Sequence, residues 1–298
     1  MGAGVGFVDL EQGWFVRHEE FTSKSPAVIY GDNDVDEADH GTAVLGIVVA
    51  GDDSVGVVGI APAVSRVLMT SHYDSIPDTN GNVAGAIVGA FPKMDIGDVL
   101  LVEVQRSGRP AETDHADFDA IRLAAARGIV VLELAGNIGS HLDTYTDSIF
   151  GDSVLHRNSC EYRESGAIIV GAAEAFIPHE RLVISGYGSR VDCYAWGEVV
   201  VSCGYGDLGG TDDQNSYTGE FAGTSSAAAI VAGAAIIVQG MYRVRNNDIP
   251  LAPLQMRSLL CDRATGTPQG NGVSGNIGVM PDLRKIITRM VPAGPSKP

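Results

Sequence analysis

The apolar positions of this chain fall into two kinds of run. Short, unbroken runs rich in Val, Leu and Ile alternate with longer ones rich in Ala and Gly. The short runs show no two-residue alternation, which predicts strands covered on both faces, as in a parallel sheet. Such strands are expected at residues 4–9, Ala27–Tyr30, 65–70, 98–104, 128–134 and 166–172. Helices are predicted between them, one opened by His40, one over 83–91 and one over 116–127, the last closed by Gly128. Residues 181–204 read as shorter strands with turns. Helices at 254–264 and 281–290 follow, and the Pro-rich tail 291–298 is expected to fray. Strands alternating with helices predict the α/β class, with three layers and a doubly wound, mostly parallel sheet. No linker or repeat divides residues 1–298, so a single domain is expected. Ligands of such sheets bind at the carboxyl ends of the strands. Asp9, Glu103 and Asn137 fall at or near such ends.

The stretch 219–235, GEFAGTSSAAAIVAGAA, is different: a loop of Gly and Thr runs into uncharged small residues. It predicts a buried helix whose first turn carries Ser225, with Ser226 beside it. A hydroxyl there lies among unpaired backbone N–H groups at the positive end of the helix dipole. That position stabilises the oxyanion formed when a serine attacks a carbonyl. Alone, Thr224 or Ser225 reads more simply as a helix cap. Two further stretches reverse that weighing. A serine needs an imidazole to take its proton, and the imidazole needs a carboxylate to hold its tautomer. Asp9 at the end of the first predicted strand, His40 at the start of the first helix, and Ser225 offer one group for each role.

Composition narrows the partners. With hydrophobic residues at 45% and charged ones at 19%, the chain has the balance of a globular protein. Its net charge of −17 leaves no basic stripe to replace phosphate counterions, which argues against nucleic acid. No apolar run in the sequence reads as a membrane span, so no membrane partner is expected. The cysteines, Cys160, Cys193, Cys203 and Cys261, form no Cys-x-x-Cys pair, which argues against a zinc site. Two disulfides in an exported protein and four thiols in an internal one both stay open. No secretory signal follows Met1. The expectation leans to a secreted monomer from which a leader and pro-domain have been removed, with an intracellular product as the alternative.

Together the three stretches resemble the subtilisin family of serine peptidases. The resemblance rests on VDLEQGW with Asp9, HGTAVLG followed by DDSVGVVGIAP, LELAGN ending in Asn137, and GTSSA, and it covers about residues 4–265. The order Asp, His, Ser is the one known for subtilisin. The resemblance implies a subtilisin-like fold and a serine endopeptidase acting on a peptide or protein. Ser225 would be the nucleophile, His40 its base and Asp9 the orienting carboxylate. The Asn137 amide and the Ser225 N–H would hold the oxyanion. The substrate would lie as an extended strand between Asn80, Gly81, Asn82 and Glu103, Val104, Gln105. The first pocket would be walled by Glu103, Val104, Gln105 and by Leu134, Ala135, Gly136, with Ser159 toward its base. No cofactor is implied for catalysis, but a structural Ca2+ is, at Glu20, Asp53 and the carbonyls of Val55 and Val57.

The chain departs from the family pattern in several places. Asp9-Leu10-Glu11 replaces Asp followed by Thr or Ser and then Gly. Ala229 stands for a proline, and Glu103-Val104-Gln105 replaces Ser-Leu-Gly. The altered cleft points to restricted, processing-type specificity. Glu103 would bias the cleaved position toward a basic or polar side chain. The alternative is an inactive binding module with the same fold. An ester-cleaving α/β hydrolase ranks last, because it needs Gly-x-Ser-x-Gly with Ser ahead of His.

Overall fold

In the computed structural model, which describes residues 1–74 and 81–290, the short apolar runs pair into a nine-stranded sheet. Its strands are β1 (Gly6–Glu11), β2 (Ala27–Tyr30), β3 (Arg66–Ser71), β4 (Val99–Val102), β5 (Val130–Leu134), β6 (Ile168–Ala173), β7 (Cys193–Trp196), β8 (Thr267–Pro268) and β9 (Val279–Met280). Across the sheet they run β8-β9-β7-β6-β5-β4-β1-β3-β2. Every pairing is parallel except that of β8 with β9. From β1 the chain runs to the edge strand β2, returns to β3 between β2 and β1, then crosses to β4, β5, β6 and β7 on the other side. That reversal opens a crevice at the carboxyl ends of β1 and β4.

The helices are α1 (Ala38–Val49), α2 (Val83–Ala90), α3 (His115–Ala126), α4 (Thr224–Arg245), α5 (Pro253–Leu260) and α6 (Leu283–Met290). Helices α1 and α4 pack on one face of the sheet, where Phe7, Val99, Leu101 and Leu132 are buried against them. On the other face α2 and α3 cover Val8, Leu10, Leu100 and Val131. Both faces are dry, so both sets of alternating residues are apolar, and the runs read as continuous in sequence.

Helix α4 is the spine of the first layer and touches β4, β5, β6, β7 and α1. It is long and apolar enough by composition to cross a membrane, but 72% of its most apolar window is buried within the fold. Its small residues allow that close approach. Ala229 is fully buried in an unbroken helix. Residues 181–204 split between β7 and a short antiparallel pair, Val200–Cys203 with Tyr217–Phe221. All four cysteines are thiols.

Candidate active site

Strand β1 runs past its predicted end and stops at Glu11. Successive side chains on a strand alternate faces, so Phe7, Asp9 and Glu11 all point toward α1 and α4. Glu11, at the rim, accepts a hydrogen bond from His40 Nδ1. Asp9 lies one step deeper and is fully buried, with Oδ2 accepting from Trp14 Nε1 at 2.8 Å. The expected Asp9–His40 pair is therefore corrected: Trp14 holds Asp9, and Glu11 holds His40. A signal for Glu11 was present in the sequence. Glu11-Gln12-Gly13 keeps the family's spacing from carboxylate to glycine, and a Cβ on Gly13 would fall 1.8 Å from the Asp34 carbonyl oxygen.

His40 sits in the first turn of α1, with its side chain 36% exposed. Its ring packs edge-on against Phe221 at 5.2 Å. Burial alone would lower the His40 pKa, but the Glu11 carboxylate more than reverses this and leaves it raised. With Nδ1–H given to a carboxylate, the neutral ring keeps Nε2 free to accept a proton.

Gly223, at φ 93°, turns the chain into α4. Ser225 is the second residue of that helix and is 3% exposed, so its N–H is one of those without a helical acceptor. The N–H and Oγ1 of Thr224 donate to Asn137 Oδ1 at 2.9 and 2.8 Å. A backbone N–H can only donate, which identifies the atom it meets as the amide oxygen. The Asn137 NH2 is thereby left to donate elsewhere. Ser226 Oγ donates to the carbonyls of Trp196 and Gly223 at 3.1 and 3.0 Å, which makes it a structural hydroxyl. Among the described residues no hydrogen bond joins Ser225 to His40. Such contacts are often loose before substrate binds.

Glu103 follows β4 and is 6% exposed. Neither of its oxygens forms a hydrogen bond of normal geometry, although the Ser225 hydroxyl is near enough to favour the charged form. Burial first, then Glu11 and Asp9, push the Glu103 carboxyl well above the usual range. Burial and Glu11 do the same to Asp9, against the Trp14 bond. Donor atoms of Glu11, His40 and Glu103 all lie within 4.8 Å of one another. They face a cavity of about 290 Å³ lined also by Glu37, His72 and Gln105 and, among the described residues, by no Lys or Arg.

A family model described as the Subtilase family matches residues 15–279. The chain belongs to the subtilase family. The match begins beyond Glu11, so it spans His40, Asn137 and Ser225 but not the carboxylate. Among curated proteins the chain is similar to Subtilisin DY of Bacillus licheniformis, 29% identical over 229 residues, or 76% of this chain and 70% of that protein. It is also similar to Subtilisin-like protease 2 of Trichophyton verrucosum, 30% identical over 260 residues, covering 84% of this chain and 53% of that one. It thus spans about half the length of the fungal relative. Among solved structures, Patellamide maturation protease PatA shares its fold with a TM-score of 0.68 at 20% identity, covering 97% of each chain. A cold adapted subtilisin-like serine proteinase does so at 0.62 and 24%, covering 94% of this chain and 88% of that one.

Other positions expected of a subtilase cleft are arranged differently. Asn80 lies outside the described residues. The N–H groups of Gly81 and Asn82 both donate to the His72 carbonyl. The carbonyl of Gly81 accepts from Arg106 and Val83, that of Asn82 from Ala86, and the Asn82 side chain caps α2. An added strand would find no unused backbone group at either residue.

Gln105 bridges the two expected walls of the first pocket, its Oε1 accepting from the Asn137 N–H at 3.0 Å. It opens a hairpin with Pro110 whose tip, Gly108, packs its carbonyl on Gly136. Val104 lines the cavity beside it. Leu134 and Ala135 are buried, and the Ala135 N–H donates to Val170. Ser159 Oγ accepts from the Glu161 N–H in a local turn. Glu133 faces the opposite layer, where its Oε2 accepts from the Glu112 N–H.

The predicted calcium ligands meet protein donors instead. Glu20 Oε1 accepts from the Val57 N–H at 2.7 Å and the Tyr217 hydroxyl at 3.0 Å, and Asp53 Oδ1 accepts from the Val55 N–H at 3.0 Å. Val55 and Val57 therefore offer these carboxylates N–H groups. Glu20 Oε2 is buried without a partner, but calcium wants about six to eight oxygens. The set does not fit the ion.

Proposed function

We propose that this chain is a serine endopeptidase working through Glu11, His40 and Ser225. His40 Nε2 takes the proton from Ser225 Oγ as the oxygen attacks a peptide carbonyl. The Asn137 amide and the Ser225 N–H hold the oxyanion. His40 then passes its proton to the leaving amine, and water releases the acyl-enzyme. Glu11 holds the Nδ1–H tautomer and stabilises the imidazolium.

The observation that carries this reading is the Glu11–His40 hydrogen bond formed within a few ångströms of Glu103, the carboxyl that adjoins Ser225. Membership of the subtilase family supports it. The cavity beside His40 has carboxylates and, among the described residues, no Lys or Arg, so we further propose restricted specificity, with a basic side chain near the cleaved bond. A peptide-library profile dominated by bulky apolar residues at every position would contradict that preference.

The missing Ser225–His40 hydrogen bond favours a second reading, an inactive module that only binds peptides. Labelling with a fluorophosphonate separates the two. Wild type is expected to take one label, at Ser225, and S225A none at an unchanged melting temperature. A folded wild type that never labels would favour the binding module.

A further inference from the structure

We propose that Glu11, His40 and Glu103 form a reversible site for a divalent transition-metal ion, zinc by donor chemistry, and that its occupancy removes His40 from catalysis. The binding rests on geometry alone. The loss of activity rests on the role proposed for His40.

One donor atom from each residue lies within 4.8 Å of the other two. Around a tetrahedral zinc, with bonds of about 2.0–2.2 Å, neighbouring donors stand roughly 3.5 Å apart. Side-chain rotation over about an ångström would therefore close the set. Glu103 supplies the independent indication. It is buried, and neither oxygen forms a hydrogen bond of normal geometry, so only the neighbouring Ser225 hydroxyl offsets the cost of enclosing the carboxyl. Asp9 Oδ1 is likewise buried and unpartnered behind it.

Glu11 and Glu103 thus stand beside the single imidazole of the cluster, His40, with the Asp9 carboxyl enclosed more deeply against Trp14. Arg106 is committed to Asp117 and the Gly81 carbonyl. The cavity of about 290 Å³ reaches this cluster, so an ion can enter. One imidazole and two carboxylates, with a fourth position left for water, is a donor set suited to zinc. The nitrogen donor disfavours calcium and magnesium, which prefer oxygen. An ion held there draws on the imidazole and on the Glu11 carboxylate that orients it, so His40 can no longer serve as base.

The test uses S225A protein stripped with chelator, so that self-cleavage cannot interfere. Zinc chloride is titrated by calorimetry in a buffer containing excess magnesium. One ion per chain is expected to bind, with Kd about micromolar or tighter. E103Q should weaken binding about tenfold or more at an unchanged melting temperature, and H40A should abolish it. No binding, or binding indifferent to both substitutions, would overturn the site. In wild type, zinc over the same range should slow fluorophosphonate labelling, and EDTA should restore it. Zinc binding of the expected strength in a wild type that never labels would leave the metal site standing and remove the peptidase reading. Labelling with no zinc binding would remove the metal site alone.

Discussion

Two carboxylates on one face of β1 compete for the role of orienting His40, and their depth separates them. Asp9 is enclosed and bonded to Trp14, while Glu11 clears the strand end and meets the imidazole. The longer glutamate is matched to this rim position. E11D withdraws the carboxylate by about one methylene, and a misplacement near an ångström costs on the order of 100-fold. Its kcat is expected to fall by about that factor with KM little changed, as steady-state kinetics would show. N137A removes an oxyanion donor whose side-chain oxygen is pinned by Thr224. It should lower kcat by roughly two to three decades, the scale set by such a donor in subtilisin. A loss appearing only in KM would mean that Asn137 binds substrate and does not act on the oxyanion.

His40, Asn137 and Ser225 could be picked out in the sequence because each borders a helix start or a strand end with a distinct local pattern. Glu11 was hidden by the apolar run ahead of it. In a strand buried on both faces nothing periodic marks the last residue, and the first carboxylate, Asp9, reads as the end although the strand continues to Glu11.

The elements around the site owe their closeness to missing side chains. Helix α1 lies so near the turn after β1 that a Cβ on Gly41 would fall 2.4 Å from the Gly13 carbonyl oxygen and 2.7 Å from the Trp14 ring. G41A must push these elements apart and is expected to cost about 1–3 kcal/mol in denaturant unfolding. The loop carrying Glu20 and Asp53 is closed by N–H and hydroxyl donors, so EDTA should leave the melting temperature unchanged. A fall of several degrees, reversed by added calcium, would show that an ion holds this loop after all.

The element types were legible where a run was long or strongly patterned, as in α3 and α4. The expected peptide-binding edges were less so. Gly81 and Asn82 spend their N–H groups on the His72 carbonyl and the Gly81 carbonyl meets Arg106, pairings made by the folding of the loop and not announced by the local pattern, while Asn82 caps the adjoining α2.

At the scale of the whole molecule, the parallel sheet sets the carboxyl ends of β1 and β4 side by side. That topology follows from alternating runs that are apolar on both faces, and so it was readable from the sequence. The ion pairs that knit the layers were not. Glu164, ahead of β6, takes a two-pronged bond from Arg257 of α5 at 2.8 and 2.8 Å. Burial alone would raise its pKa, but the Arg257 bonds, with Arg190 nearby, hold it at about 2. Its ordinary value is 4.5, so the pair stabilises the fold above that pH and the contribution is lost as pH falls toward about 2. Wild type should therefore exceed E164Q in stability by a constant margin near neutrality. That margin should close between about pH 4.5 and pH 2 in urea unfolding.

The measurement that bears most directly on the site is the rate of fluorophosphonate labelling at Ser225 in wild type, D9N and E11Q. Wild type and D9N should label within about tenfold of each other, and E11Q slower by about four decades, the scale of losing a triad carboxylate. Rapid labelling of E11Q together with a collapse in D9N would contradict the assignment of Glu11 and return the role to Asp9.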